Sequence, residues 1–275
     1  MQILVVNDDG IASVGLWMLA AALRDAGLGT VTIVAPEVEQ SGTSMALPMQ
    51  RELTMKPAQP LDPDYAGIAA YTVNSTPVGC VLAGVRAFPG GVPDVVVSGI
   101  NRGLNTGTNV LLSGTVGAAM FAAFWGIPAL AVSQMFIGDA PMPWATATWA
   151  AVQTFPLLER VRGQGPLVLN VNVPHVHDLA DVRGFRQTEL SAFFYGDVVE
   201  LDAAVPVDAP EERHLGIRFV RERVPAFAPS SDDGAVREGY ISVTPLTPTT
   251  AACFDLSAAL QDLTSETRDR SQSTA

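Results

Sequence analysis

The feature that most restricts this chain is a series of short aliphatic runs in which neither face is distinctly polar. Ile3–Val6, Val31–Ala35, Asp94–Ser98, Ala129–Ser133 and Leu167–Val173 each read as a strand. Side chains alternate between the two faces of a strand, so a run that is apolar throughout needs cover on both sides. Helical patterns over Val14–Ala26, Val78–Phe88, Val116–Trp125 and Trp144–Leu158 lie between these runs and supply that cover. The alternation predicts the α/β class: a Rossmann-like, doubly wound and mostly parallel sheet.

The pattern changes after Pro174. Residues 186 to 238 mix aromatics, acids and prolines without helical spacing, and Leu215–Val220 and Tyr240–Thr244 alternate like exposed or edge strands. The chain therefore divides into a core over 1–185 and a C-terminal part over 186–262. The latter is read as an extended arm or hairpin, a return strand and a terminal helix. Residues 263–275 are polar and read as a disordered tail.

Composition narrows the function. With 28 acidic and 16 basic side chains the formal charge is −12. A surface that negative repels a phosphodiester backbone, which argues against a nucleic-acid polymer as partner. A small anionic substrate would need a local positive source, a metal ion or a helix N-terminus. Cys80 and Cys253 make no disulfide framework and no CxxC pair. They read as small buried hydrophobes and suit a reducing, cytoplasmic compartment. Met1 leads directly into the first strand without a basic n-region, so no signal peptide is expected. The longest uncharged apolar stretch, Val116 to Ser133, is broken by Gly126-Ile127-Pro128, so no membrane span is expected.

Ligands of a parallel α/β sheet bind outside the carboxyl ends of its strands. At those ends stand Asn7-Asp8-Asp9-Gly10, then Glu37 through Ser44 with Ser41 among them, then Gly99 through Gly107. Ser113-Gly114-Thr115 opens the helix at Val116. Two adjacent carboxylates repel each other unless a cation sits beside them. Oxygen ligands from Asp, Asn and Ser suit a hard ion such as Mg²⁺ or Mn²⁺. Helix capping is the competing explanation, and it accounts for one aspartate easily and for two poorly. Ser113-Gly114-Thr115 has the chemistry of an anion cradle, and equally that of an ordinary helix cap. The run from Asn101 to Asn105 could hold metal or phosphate, or be ordinary turn chemistry.

These residues carry a resemblance. Ile3 through Gly10, Ala35-Pro36 through Ser41, Ser75-Thr76-Pro77, Ser98-Gly99-Ile100-Asn101-Arg102-Gly103, Ser113 through Ala119, Gly126-Ile127-Pro128 and Glu238 through Leu246 resemble the survival protein SurE family. The resemblance runs in order along nearly the whole chain. It implies a metal-dependent phosphomonoesterase hydrolysing 5′- and 3′-nucleoside monophosphates through a metal-activated water, with short polyphosphate as a further substrate. It also implies one divalent ion per subunit, Mg²⁺ or Mn²⁺, held by Asp8, Asp9, Ser41 and Asn101. Asp8 and Asp9 would be the catalytic pair, with Asn105, Ser113, Gly114 and Thr115 on the phosphate. A homodimer or homotetramer built by exchanged C-terminal segments is part of the same expectation. Three places depart from the commoner family pattern: Leu112 for Tyr, Phe121 for Glu, and Ser231-Asp232-Asp233 in a Thr-Asp setting.

Other motifs fail on chemistry. Asp8-Asp9-Gly10 looks like the nucleophile loop of haloacid-dehalogenase-like phosphatases, but the nucleophile position falls on Asn7, and an amide cannot form an aspartyl-phosphate. There is no G-x-G-x-x-G after the first strand and no Walker A motif. His175-Val176-His177 reads as a solvated loop. The rival function is a non-catalytic nucleotide-binding or sensor protein on the same fold. Phosphate release from AMP with Mn²⁺ separates the two.

Overall fold

The computed structural model describes residues 1–49, 52–87, 91–163, 165, 167–202 and 216–248. In chain order these form β1 (Gln2–Val6), α1 (Val14–Asp25), β2 (Thr30–Pro36), β3 (Met55–Pro57), β4 (Ala69–Val73), α2 (Pro77–Arg86), β5 (Val95–Arg102), α3 (Gly114–Ala123), β6 (Ala129–Gln134), α4 (Trp144–Thr154), α5 (Leu157–Val161), β7 (Val168–Val173), β8 (Phe185–Gln187), β9 (Val199–Asp202), β10 (Gly216–Phe219), α6 (Asp232–Arg237) and β11 (Ile241–Leu246). The sheet has nine strands in the order β3-β4-β2-β1-β5-β6-β7-β11-β8. The run from β4 to β7 is parallel throughout. β3 pairs antiparallel with β4, and β11 pairs antiparallel with β7 and parallel with β8. The α/β, mostly parallel architecture expected from the aliphatic runs is the one observed.

Alternation explains why these runs need two helical layers. Ile3 and Val5 of β1 pack with Leu16, Trp17 and Leu23 of α1 and with Ala147 and Ala151 of α4. Leu4 and Val6 point the other way, into Val81 of α2 and Val116 and Ala119 of α3. Strand order reverses between β1 and β5, because the chain first winds outward through β2 and β4 and then returns to the far side of β1. A crevice outside the carboxyl ends of β1 and β5 follows from that topology.

The boundaries differ from expectation where a local constraint acts. The helix expected over Trp144–Leu158 is split, because Pro156 has no N–H for the helical ladder; α4 ends at Thr154 and α5 starts at Leu157. β5 runs on to Arg102 through a register shift between Ser98 and Asn101, so Asn101 stands on a strand end where a loop was expected. β3 and β4 were not anticipated. One has three residues including Pro57, and the other is an Ala-rich strand near the sheet edge with no branched aliphatic run. β9 and β10 form an antiparallel hairpin outside the main sheet. β8 and β11 join the main sheet, so it draws on residues both sides of the expected boundary at 185. Leu215 of the expected strand, the expected terminal helix, Cys253 and the tail over 263–275 lie outside the described residues. Among the described residues no helix is long and apolar enough to cross a membrane.

Two buried aspartates tie the C-terminal part to the sheet rim. Asp232 is fully buried, and its carboxylate accepts N–H bonds from Ser191 and Asp233 at 2.9 Å each and from Gly107 at 2.8 Å. Asp233 accepts from the Ser191 hydroxyl at 2.7 Å. Burial pushes both carboxyls above their ordinary range, although the donors around them pull the other way. Asp232→Ala would leave three N–H groups without that acceptor, and each such loss costs roughly 1–3 kcal/mol. We expect a destabilisation of about 3 kcal/mol or more in urea unfolding. A change below about 1 kcal/mol would show that this brace contributes little.

Candidate active site

The site starts with a turn. Beyond β1, the buried Asn7 side chain donates to the Gly10 carbonyl at 2.9 Å and closes the Asn7–Gly10 loop. Gly10 has φ +88°, and a Cβ there would come within 3.1 Å of the Val38 backbone. The Gln40 N–H then donates to the Asp8 carbonyl at 2.7 Å. The loops after β1 and β2 are thereby clamped together, which places Asp8 and Asp9 beside the β1–β5 crevice.

The start of α3 holds Asp8. The Thr115 hydroxyl, fully buried, donates to Asp8 Oδ1 at 2.5 Å. A Cβ on Gly114 would lie 2.9 Å from Asp8 Cβ and 3.1 Å from its Oδ2, so only glycine allows this approach. Ser113 caps the helix: its Oγ accepts from the Val116 N–H at 3.1 Å, which leaves the hydroxyl proton for another acceptor. Capping and cradling are thus compatible functions of this one serine. Asp9 is held less tightly, with Oδ2 3.4 Å from the Arg102 N–H of β5.

Burial, ahead of any neighbouring charge or hydrogen bond, sets the charge of this pair. Desolvation raises the Asp8 pKa and outweighs the Thr115 hydroxyl and the backbone N–H groups of Asp8 and Thr115, which oppose it. Asp9 is pushed up to about 7, by desolvation and then by the charge of Asp8. Glu39 adds a smaller repulsion to both. Two crowded acids that resist ionising together, ringed by oxygen and amide donors, fit a hard divalent cation. Among the described residues no three His, Cys, Asp or Glu side chains converge as a metal cluster. An ion here would therefore draw its further ligands from amide, hydroxyl or water oxygens beside the aspartates.

The remaining expected residues divide by what they touch. Asn101 is brought to the rim by the extension of β5; its amide nitrogen donates to the Gly103 carbonyl at 2.9 Å. Gly99 allows the bulge that carries it: at φ +139°, a Cβ there would stand 2.4 Å from the Val132 carbonyl oxygen. Ser41 is exposed, in the loop that Gln40 anchors to Asp8, but its hydroxyl donates to Glu39 at 2.7 Å. The Asn105 side chain turns inward and donates to Ser133 Oγ at 2.8 Å. Sequence reading did not single out Glu39, and it noted Asp232 and Asp233 only as a departure from the family pattern, without their bracing role. It also passed over Asn170 and Asn172, whose i, i+2 spacing in an otherwise apolar strand was the available signal. The His175 ring meets the Met135 carbonyl at 3.1 Å and lies edge-on to His177.

Two cavities among the described residues are lined by neither aspartate. One of about 280 Å³ adjoins the β2 loop and is lined by Glu37, Val38, Gln40, Pro48 and Val73 to Thr76. Another, of about 570 Å³, lies between the 189–193 and 223–231 segments. Phosphate chemistry needs charge and donors rather than volume, so cavity size alone does not locate a site of that kind.

The Asp9 proton has a consequence for stability. The folded, metal-free chain keeps it up to pH about 7, whereas an ordinary aspartate loses it near 3.8. Between those values the folded state binds more protons than the unfolded one. The stability this group lends is complete below 3.8 and is lost as pH rises through 7. In EDTA at pH 8, Asp9→Asn should therefore melt above the parent by on the order of 5 °C, with the gap closing toward pH 4. Equal melting at pH 8 would mean that Asp9 is not under charge strain.

Comparisons with known proteins converge on one family. The family model described as "Survival protein SurE" matches residues 3–197. The chain is 38% identical over 260 residues to the protein named 5′-nucleotidase SurE in Synechococcus sp. (strain JA-3-3Ab), covering 93% of this chain and 95% of that one. It is 38% identical over 246 residues to 5′-nucleotidase SurE 1 of Thermus thermophilus, covering 90% and 91%. The crystal structure of the SurE protein from Aquifex aeolicus superposes with a TM-score of 0.72 at 28% identity, over 96% of this chain and 99% of that one. The family-model match over residues 3–197, together with relatives 38% identical over most of both chains, makes this chain a member of the survival protein SurE family.

Proposed function

We propose that the chain is a metal-dependent 5′-nucleotidase, hydrolysing nucleoside monophosphates to nucleoside and phosphate, with 3′-monophosphates also accepted. The observation that carries this reading is the Asp8–Asp9 pair set against the N-terminus of α3 at the β1–β5 crevice. The names of the relatives support the same activity. Asp8, Asp9 and Asn101 would hold one divalent ion, Mg²⁺ or Mn²⁺, with Ser41 joining once its hydroxyl leaves Glu39. Such an ion, when bound, supplies positive charge to the phosphate oxygens and lowers the pKa of water at the site.

The chain's own groups do the rest. The α3 N-terminus presents its positive end, and Ser113 has a hydroxyl proton to donate to a phosphate oxygen. The Thr115 hydroxyl serves Asp8, so its contribution to phosphate comes through placement of that carboxylate. Asp9 spends Oδ2 on the Arg102 N–H and keeps Oδ1 for a ligand or for the proton of the attacking water. The non-catalytic sensor reading has no observation of its own in its favour.

Assembly belongs to the same proposal. Residues 186–262 would serve as the arm exchanged between subunits of a homodimer or homotetramer. Phe194, Leu201, Ile217 and Phe219 expose large apolar surface on or beside the β9–β10 hairpin, which supports a partner surface there. A cytoplasmic location completes the proposal and is supported by sparse cysteine and by Cys80 being buried as a free thiol.

Two measurements test this reading. Phosphate release from AMP should need Mn²⁺ or Mg²⁺, fall to background in EDTA and return on adding the ion; full activity after exhaustive chelation would refute the metal assignment. Asn101→Ala should lose about 100-fold or more in kcat/KM with an unchanged thermal melt, because its amide is a ligand rather than a packing group. Turnover near that of the parent would reduce Asn101 to a turn residue.

A further inference from the structure

β7 is a buried strand with β6 on one side and β11 on the other, so sheet partners flank its backbone on both edges. Its odd-numbered residues Leu169, Val171 and Val173 pack into the α1–α4 layer. Asn170 and Asn172 face the opposite way, fully buried. An aliphatic side chain would sit there without penalty. A carboxamide costs roughly 1–3 kcal/mol unless its polar atoms are bonded.

The bonds they make converge on a single residue, while Asn170 Oδ1 has no hydrogen-bond partner among the described residues. Asn172 Oδ1 accepts the Asn105 N–H at 2.8 Å, and Asn172 Nδ2 donates to the Asn105 carbonyl at 3.0 Å. Asn170 Nδ2 donates to that same carbonyl at 2.8 Å. The Asn105 side chain donates to Ser133 of β6 at 2.8 Å. Residues 104–106 belong to no strand or helix, so without these amides the Asn105 backbone would lack partners in a buried place. The Asn172 side chain replaces a neighbouring strand for one residue. The segment so held joins Asn101 to the turn that leads into Ser113.

We propose that Asn172, assisted by Asn170, is a positioning residue for the substrate phosphate: it fixes the backbone of the loop that carries Asn105 and feeds the Ser113–Thr115 cradle. This rests on the proposed function, in which Ser113 donates to the phosphate, and on the resemblance that sets Asn105 on the phosphate as well. The metal end of the loop is fixed separately, because Asn101 is in register with Ser133 through the β5–β6 pairing and the aspartates stand at the end of β1. Loosening Asn105 therefore weakens phosphate binding and spares the ion.

The test compares Asn172→Ser, Asn170→Ser and Asn105→Ala in the full-length, Mn²⁺-loaded protein. Three quantities are read: the Mn²⁺ Kd from the free-ion electron paramagnetic resonance signal, the inhibition constant of inorganic phosphate, and kcat and KM for AMP. In Asn172→Ser the phosphate constant and KM should rise about tenfold, while the Mn²⁺ Kd stays within about twofold. Asn170→Ser removes one of two bonds to the same carbonyl and should give about a threefold rise; it decides the matter alone if Asn172→Ser does not fold. Folded variants with a lowered melt but unchanged phosphate constant and KM would overturn the proposal and leave these asparagines a structural role only. Loss of Mn²⁺ affinity in parallel with phosphate affinity would overturn it too, since the effect would then not be confined to phosphate. Asn105→Ala separates the layers. If it leaves phosphate binding intact, the assignment of Asn105 to phosphate fails; if it weakens binding while Asn172→Ser does not, only the positioning role fails.

Discussion

The structure turns on holding two neighbouring carboxylates at the end of one buried strand. Asp8 and Asp9 leave β1 where strand order reverses, out of reach of full solvation and close enough for the charge of Asp8 to raise the pKa of Asp9. Such a pair is unfavourable by itself, and most of the rim serves to keep it in place. Gly10 lets the β2 loop close over the turn, Gly114 lets α3 approach Asp8, and Thr115 fixes one carboxylate oxygen. The instability concentrated in these few residues is what a cation would relieve.

A second layer of polar groups supports the first. Asn170 and Asn172 grip the Asn105 backbone from inside the sheet, and Asp232 grips Gly107 from the C-terminal part. Between them the segment from Gly103 to Ser113 is pinned on two sides although its only regular structure is a short 3-10 turn, Gly107 to Leu111. Rigid placement of donors matters here because developing charge on a phosphate is stabilised by dipoles already in position. The brace also gives residues beyond 186 a direct link to the site, since Ser191 and Gly107 share the Asp232 carboxylate.

Much of this was legible in the residues. Doubly apolar runs pointed to the parallel sheet, and the strand-end rule led to Asp8, Asp9 and Ser113–Thr115 before any contact was known. What escaped was set by tertiary context. β3 and β4 lack branched aliphatic runs, and Pro156 divides a helix whose apolar spacing continues past it. The extension of β5 depends on a bulge at Gly99 that meets the Val132 carbonyl across the sheet, which no local pattern encodes. Asn170, Asn172, Asp232 and Asp233 look like ordinary polar interruptions until their distant partners are known. For Asn170, Asn172 and Asp232 those partners include Asn105 and Gly107, far away along the chain.

In the function proposed above, the aspartate pair is a metal site completed by Asn101. Anomalous scattering from a crystal soaked in Mn²⁺ tests it most directly. One strong peak per chain is expected, within coordination distance of Asp8, Asp9 and Asn101 oxygens. A peak elsewhere, or none between the two aspartates at pH 8, would contradict it.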